Sequence, residues 1–183
     1  MKIINLITKA VRILGENELL SYLENNDSKN TEFDKDRELF LVSYNQTLET
    51  VINYCPLIKT ETFLSVEGKV KYSNFDSVPY KIISVKPENP LKTYEILPME
   101  IKVDGKIEVT YSYIPIASSL NDEFAYENSN ISINAFSFGI LAEYLIFKGR
   151  YEEAQTFYDK FLNALKNLKF SNKIKKIKPR EWF

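Results

Sequence analysis

The chain has 183 residues, 44% hydrophobic and 14% aromatic, with one cysteine, no histidine and a formal net charge of −1. Such a chain buries on the order of 70% of its unfolded surface and needs no staple, and the lone Cys55 excludes an internal disulfide. The lack of histidine excludes His-dependent triads and histidine-ligated zinc, which leaves carboxylates with Mg²⁺, lysine, tyrosine or a single thiol as the available chemistry.

Ile3, Ile7, Ala10 or Val11, and Leu14 recur at helical spacing, and Gly15 follows as a C-cap. Asn5, Lys9 and Arg12 interrupt this stretch, so neither a secretory core nor a membrane span is expected. The chain is therefore expected to be soluble and, with no sign of an oxidising compartment, made inside the cell. A short helix is expected over 17–24, then a mobile polar loop over 25–32. A longer helix runs from about 34 to 54, with Leu41, Tyr44, Leu48, Val51 and Cys55 on one face and Pro56 as its stop. Cys55 then reads as a small packed residue rather than a nucleophile, because no nearby residue would lower its pKa.

From 57 to 115 the pattern turns to strands: Phe63, Val70, Tyr72, Tyr80, Ile82, Ile83 and Val85 fall in short runs bounded by Gly, Pro and Asn. Two similar turns, 66–69 and 103–106, predict two hairpins. Three-residue bulged loops keep Ile101 and Val103 on one face with Ile107, Val109, Tyr111 and Tyr113, and Leu64 and Val66 with Val70 and Tyr72. The expectation is a small antiparallel sheet with one polar face.

After a polar loop at 121–130, a broadly apolar helix is predicted over 131–148, capped by Ser129 or Asn130. Gly139 in its middle costs about 1 kcal/mol against alanine, which close approach of another helix would explain. Gly149 breaks the chain, and a last helix over 151–168 presents Ala154, Tyr158, Phe161, Leu165 and Leu168 as its inner stripe. The short connection favours an antiparallel pair.

From Lys166 onward, seven Lys or Arg stand against Glu181, a local net of +6 that leaves −7 for the rest of the chain. A basic tail on an acidic body points to an anionic partner or a neighbouring copy. Mobile surface ion pairs contribute about 0–1 kcal/mol each, whereas burying a large aromatic contributes roughly 1.5–3 kcal/mol. Trp182 and Phe183 are therefore expected to anchor the tail, and Lys173, Lys175, Lys176, Lys178 and Arg180 to steer it.

The segment Leu141-Ala142-Glu143-Tyr144, Lys148-Gly149-Arg150-Tyr151-Glu152-Glu153-Ala154, Phe157-Tyr158, Phe161 and Leu165, followed by the basic tail, resembles the C-terminal helical hairpin of phage head–tail adaptor proteins, also called head-completion or connector proteins. The order of helices, central β segment, two helices and tail resembles that family too. The resemblance implies a structural subunit of a short-tailed phage neck. Such a subunit forms a homo-oligomeric, twelve-membered ring beneath the portal protein. It offers a surface to the tail or nozzle protein, and DNA passes through the channel without sequence-specific binding. It also implies a virion protein, present in the host cytoplasm during assembly, whose arm at 170–183 reaches the portal or a neighbouring subunit. No catalytic residue, metal ligand, cofactor or membrane partner is expected.

Two other readings exist. Gly149 to Ala154 resembles the start of a tetratricopeptide unit, but no second copy recurs at about 34 residues, and one unit cannot bury its own apolar face. Glu100-Ile101-Lys102 has an E-x-K spacing used by Mg²⁺-dependent nucleases, with Glu108 and Asp76 as possible additional carboxylates. Exposed strand faces carry Glu and Lys routinely. The expected fold is α+β: a mainly helical bundle (1–56 and 116–169) with a small antiparallel β insertion (57–115) and an extended basic C-terminal arm (170–183).

Overall fold

The computed structural model describes residues 1–24, 31–127 and 129–171. They fold as two compact units, Met1–Thr47 with Ala117–Phe183, and Leu48–Ile116. Among the described residues 47% are helical and 23% are in strands. This corrects the expectation of a mainly helical bundle with a small insertion: the fold is a mixed α+β one with two antiparallel sheets. The β segment carries a core of its own, so it is a second folding unit rather than a decoration.

The helical unit contains α1 (Ile3–Leu14), α2 (Asn17–Glu24), most of α3 (Thr31–Val51), α4 (Ile133–Phe147) and α5 (Tyr151–Ser171). A helix starts with N–H groups that its own backbone cannot satisfy. In α1 the N–H of Ile3 reaches the carbonyl of Asp122 at 3.0 Å, and that of Ile4 reaches Leu120 at 2.7 Å. The helix ends at Gly15, whose φ of +82° lets its N–H return to Val11. Helix α4 starts two residues later than expected. Its cap is Ser132, whose side chain accepts from the Ala135 N–H, while Ser129 accepts from Ile131 in the turn before it. Nine residues of α4 are buried, spread around most of its circumference. Packing explains this: α1 and α5 both lie against α4, and Phe40 of α3 stacks on Tyr144 with centroids 4.0 Å apart. The connection Lys148–Arg150 reverses the chain, and Phe138 stacks on Phe157 across the antiparallel α4–α5 pair.

The β unit holds two three-stranded antiparallel sheets built from β1 (Leu57–Leu64), β2 (Lys69–Lys71), β3 (Pro79–Pro87), β4 (Glu95–Ile96), β5 (Glu100–Lys102) and β6 (Lys106–Tyr113). Their orders are β1-β6-β3 and β2-β5-β4. The strands flanking the two expected hairpin turns do not pair with each other. β1 pairs with β6 and β2 with β5, so segments 57–71 and 100–113 run side by side as one interrupted ribbon. Leu64 faces Lys106, but Lys69 faces Lys102, so 65–68 opposes 103–105 with one residue in excess. That excess bends the ribbon as a bulge does. The first turn closes only on itself, Val66 and Lys69 exchanging backbone bonds at 3.0 and 3.1 Å around Glu67-Gly68, and the two turn motifs also bond to each other: Ser65 N–H to Gly105 O at 3.0 Å, Gly105 N–H to Ser65 Oγ at 2.8 Å, and Val103 N–H to Gly68 O at 2.9 Å.

Ile101, Val103, Ile107, Val109 and Tyr111 nevertheless share one core with Val70, Phe75 and Val85, and Tyr113 packs against it. Phe75 is its hub, with ring centroids 4.3 Å from Phe63, 5.7 Å from Tyr72 and 4.9 Å from Tyr111. Leu64 and Val66, expected on that face, are exposed. The bulge reverses the alternation between β1 and β2, which moves them outward.

Candidate partner-binding surfaces

The residues expected to bind a portal or a neighbouring subunit, Lys173, Lys175, Lys176, Lys178, Arg180, Trp182 and Phe183, lie outside the described residues, as does most of the loop expected at 25–32.

Within the β unit the outer surface is not uniformly polar. Ile58, Leu64, Val66, Val78, Tyr80 and Met99 are all more than half exposed. Monomeric surfaces scatter such residues singly, but here several line one groove. Tyr72, Val78, Pro79, Tyr80, Ile82 and Met99 wall a groove of about 530 Å³. Its far wall is a tight turn, in which the Leu97 N–H bonds Glu100 O at 2.9 Å. Tyr72 pins that turn twice, through its hydroxyl to Leu97 O at 2.9 Å and its N–H to Met99 O at 3.0 Å. Burial pushes the Tyr72 phenol pKa up. Val78 and Met99 stand at the rim, 78% and 76% exposed. Tyr80 also lines a second depression with Ile52, Pro56, Ile83 and Ser112, and its hydroxyl donates to Asn53 Oδ1 at 3.3 Å. Both surfaces suit an apolar partner side chain inserted beside a polar rim.

A polar network holds the loop that leads into the groove. The Tyr111 hydroxyl donates to Glu61 Oε1, and Glu61 Oε2 accepts the Asp76 N–H at 3.2 Å. Lys59 donates to Ser77 Oγ at 3.3 Å and lies 3.8 Å from Asp76. Burial, then the Glu61 carboxylate, pushes the Tyr111 phenol pKa well above its ordinary value. The loop 76–77 that leads into Val78 is thus tied to the inner face of β1.

In the helical unit, Ile146 of α4 and Tyr151, Ala154, Gln155 and Tyr158 of α5 line an apolar dent of about 250 Å³. The turn beside it is clamped electrostatically. Arg150 donates to both oxygens of Glu153 at 2.7 Å and to Glu16 Oε1 at 2.7 Å. Hydrogen bonds from Arg150 hold the Glu153 carboxyl below its usual range. Lys148 pairs with the buried Asp36 and sits over the Tyr144 ring at 5.5 Å.

The residues of the nuclease reading do not converge. Asp76 meets Lys59, Glu108 meets Lys86 at 3.2 Å, and Lys102 meets Glu95 at 3.7 Å, each a separate exposed pair. Among the described residues no group of three or more His, Cys, Asp or Glu side chains could hold a metal ion. Cys55 is half-buried, and burial pushes its thiol pKa up, which disfavours the thiolate. Among the described residues no helix is long and apolar enough to cross a membrane.

The groove residues Val78, Tyr80 and Met99 escaped the sequence reading. A signal was present: Tyr80, Ile82 and Ile83 break strict alternation, so β3 had to carry apolar side chains on both faces. Comparison with models of known protein families gives no match, and comparison with curated proteins gives none either.

Proposed function

We propose that this chain is a non-enzymatic structural subunit that works by docking on other protein chains, as part of a phage head–tail connector ring beneath the portal. The observation that carries docking is the clustering of exposed apolar side chains around the β-unit groove, from Val78 and Tyr80 to Met99. Exposed apolar clusters of this kind mark interaction sites rather than ordinary solvated surface. The resemblance of 137–183 to the adaptor hairpin and tail supplies the narrower reading. In it the helical unit contacts neighbouring copies, the basic arm 170–183 engages the portal, and the groove faces a tail-side partner.

The test is a truncation at residue 171, which keeps α5 and removes the five arm cations with Trp182 and Phe183. The shortened protein is expected to keep its circular dichroism spectrum and melting temperature and to lose association with portal rings. Unimpaired association would refute the assignment of the arm.

A further inference from the structure

The sheet β1-β6-β3 ends on β1 and β3, and these two edges differ. An open edge offers a row of main-chain donors and acceptors to any extended chain. Natural edges are blunted by proline, bulges, short length or inward-pointing charges. β3 runs from Pro79 to Pro87, and its register shifts twice. In the other sheet the edge strands β2 and β4 have only three and two residues. β1 has eight residues, no proline and an unbroken register against β6. Its guard is a pair of charges, Lys59 and Glu61, on the half-buried face that also carries Phe63.

Antiparallel strands bond across at alternate residues. Ser65 N–H bonds Gly105 O at 3.0 Å, one step beyond the Leu64–Lys106 pair, and Lys106 O accepts the Glu88 N–H on the β3 side at 2.9 Å. The odd residues of β1 therefore bond β6, and Ile58, Thr60, Thr62 and Leu64 turn their N–H and C=O groups to the open edge. Among the described residues no backbone bond outside the β1–β6 ladder reaches those groups. All four side chains are exposed, Ile58 at 55% and Leu64 at 74%.

This edge is complementary to itself. Two copies of β1 set antiparallel about Thr60 place Thr60 opposite Thr60, Ile58 opposite Thr62, and Lys59 opposite Glu61 on both sides of the axis. Opposite charges directly across two strands stabilise the pair, and like charges destabilise it. Centring on Glu61 instead sets that carboxylate against its own copy, and centring on Thr62 sets Glu61 against Phe63. The charges that discourage a foreign strand thus admit a second β1, and in one register.

We propose that β1 is a self-pairing edge, which joins a second copy of this chain through a two-fold antiparallel β1–β1 contact centred on Thr60. The pairs made by residues 58, 60 and 62 supply about six backbone hydrogen bonds, and the two three-stranded sheets become one. β3 and its groove lie at the opposite edge and stay free. The inference goes beyond the connector reading and concerns the free protein.

In sedimentation velocity, full-length protein should pass from monomer to dimer as its concentration rises. The amides of Ile58, Thr60 and Thr62 should exchange several-fold more slowly in the dimer, whereas that of Glu61, already bonded to β6, should not change. Thr60→Pro removes an outward N–H and no ladder bond, so it should abolish the dimer and keep the circular dichroism spectrum. In a Cys55→Ser background, Thr60→Cys should cross-link under mild oxidation, because the paired Cα atoms lie about 5.5 Å apart. Ile58→Cys and Thr62→Cys should not, their copies being offset by four residues, about 13 Å. Should Thr60→Pro fail to fold, the exchange comparison and the cysteine series decide alone. Three results would overturn the proposal: a monomer at every concentration up to the solubility limit, a dimer whose 58, 60 and 62 amides exchange as in the monomer, or cross-linking at 58 or 62 in preference to 60.

Discussion

A β-carbon placed on Gly139 would lie 2.6 Å from Cγ2 of Thr47 and 3.1 Å from the Phe161 ring. Gly139 therefore marks the point where α3 and α5 both close on α4. Alanine there gains about 1 kcal/mol of helix propensity but overpacks, at roughly 1–3 kcal/mol. Gly139→Ala is expected to lower the urea midpoint, with a net loss of up to about 2 kcal/mol by those two terms. Adding Thr47→Ser removes the nearest clashing methyl and should recover part of that loss, a coupling that a double-mutant cycle reads directly.

Asp36 and Lys148 make the most sheltered ion pair among the described residues, the side chains being 7% and 33% exposed. Breaking a fully buried pair from one side costs about 3–5 kcal/mol. Because Lys148 keeps a third of its surface in water, Lys148→Met should cost less, about 2–3 kcal/mol. Asp36→Leu in the same background should return most of it, since the stranded carboxylate is then gone. Chemical denaturation of the single and double variants measures both.

Asp122 accepts the N–H groups of Ser118 and Ser119, each at 2.9 Å, and the Ser118 hydroxyl at 3.2 Å. The Ser119 and Ser118 backbone bonds hold its carboxyl pKa below the ordinary value. A depressed carboxylate stabilises the fold above its unfolded pKa, near ~3.9, and the benefit is lost as pH falls through the folded value. The turn it braces also caps α1 through the carbonyls of Leu120 and Asp122. Asp122→Ala should be less stable than the unaltered protein at neutral pH. The gap should narrow steadily once pH drops below about 4, as read by urea midpoints across a pH series.

How much of this was legible in the sequence depends on whether the partners were near or far along the chain. The burial of Ile3, Ile7, Ala10 and Val11 follows from spacing alone. In α3 Tyr44, Leu48 and Val51 are buried as expected, but the buried face is wider. Phe40, Ser43 and Thr47 are buried while Leu41 is only half-buried. Hydrophobicity cannot flag Ser43 and Thr47, which become burial-tolerant by donating to the carbonyls of Leu39 and Ser43 one turn back. The β unit was misread for a related reason. Glu67-Gly68 and Asp104-Gly105 carry local turn chemistry, but β1 finds its partner about fifty residues away in β6, and no local signal states that. Charge and aromaticity mark the tail residues in the sequence, whereas the groove around Tyr80 and Met99 arises only in the fold.

Met99 is 76% exposed and Tyr80 51% exposed. Surface substitutions away from packing features usually change stability by less than about 0.5 kcal/mol, so Met99→Glu should leave the melting temperature nearly unchanged. The few side chains that dominate an interface cluster near its centre and cost more than about 1 kcal/mol on removal. Met99→Glu should therefore weaken association with the tail-side partner proposed above by about fivefold or more. Equal affinity of the variant, by titration calorimetry, would remove the groove from the interface.

The account stands most directly on whether the chain adds to a portal. Under the connector proposal, full-length protein mixed with portal rings encoded beside it and imaged by electron microscopy should show an extra annular layer below the ring, with its channel open and continuous. Portal rings that stay bare across the concentrations tried, while the purified protein turns over a substrate on its own, would contradict it.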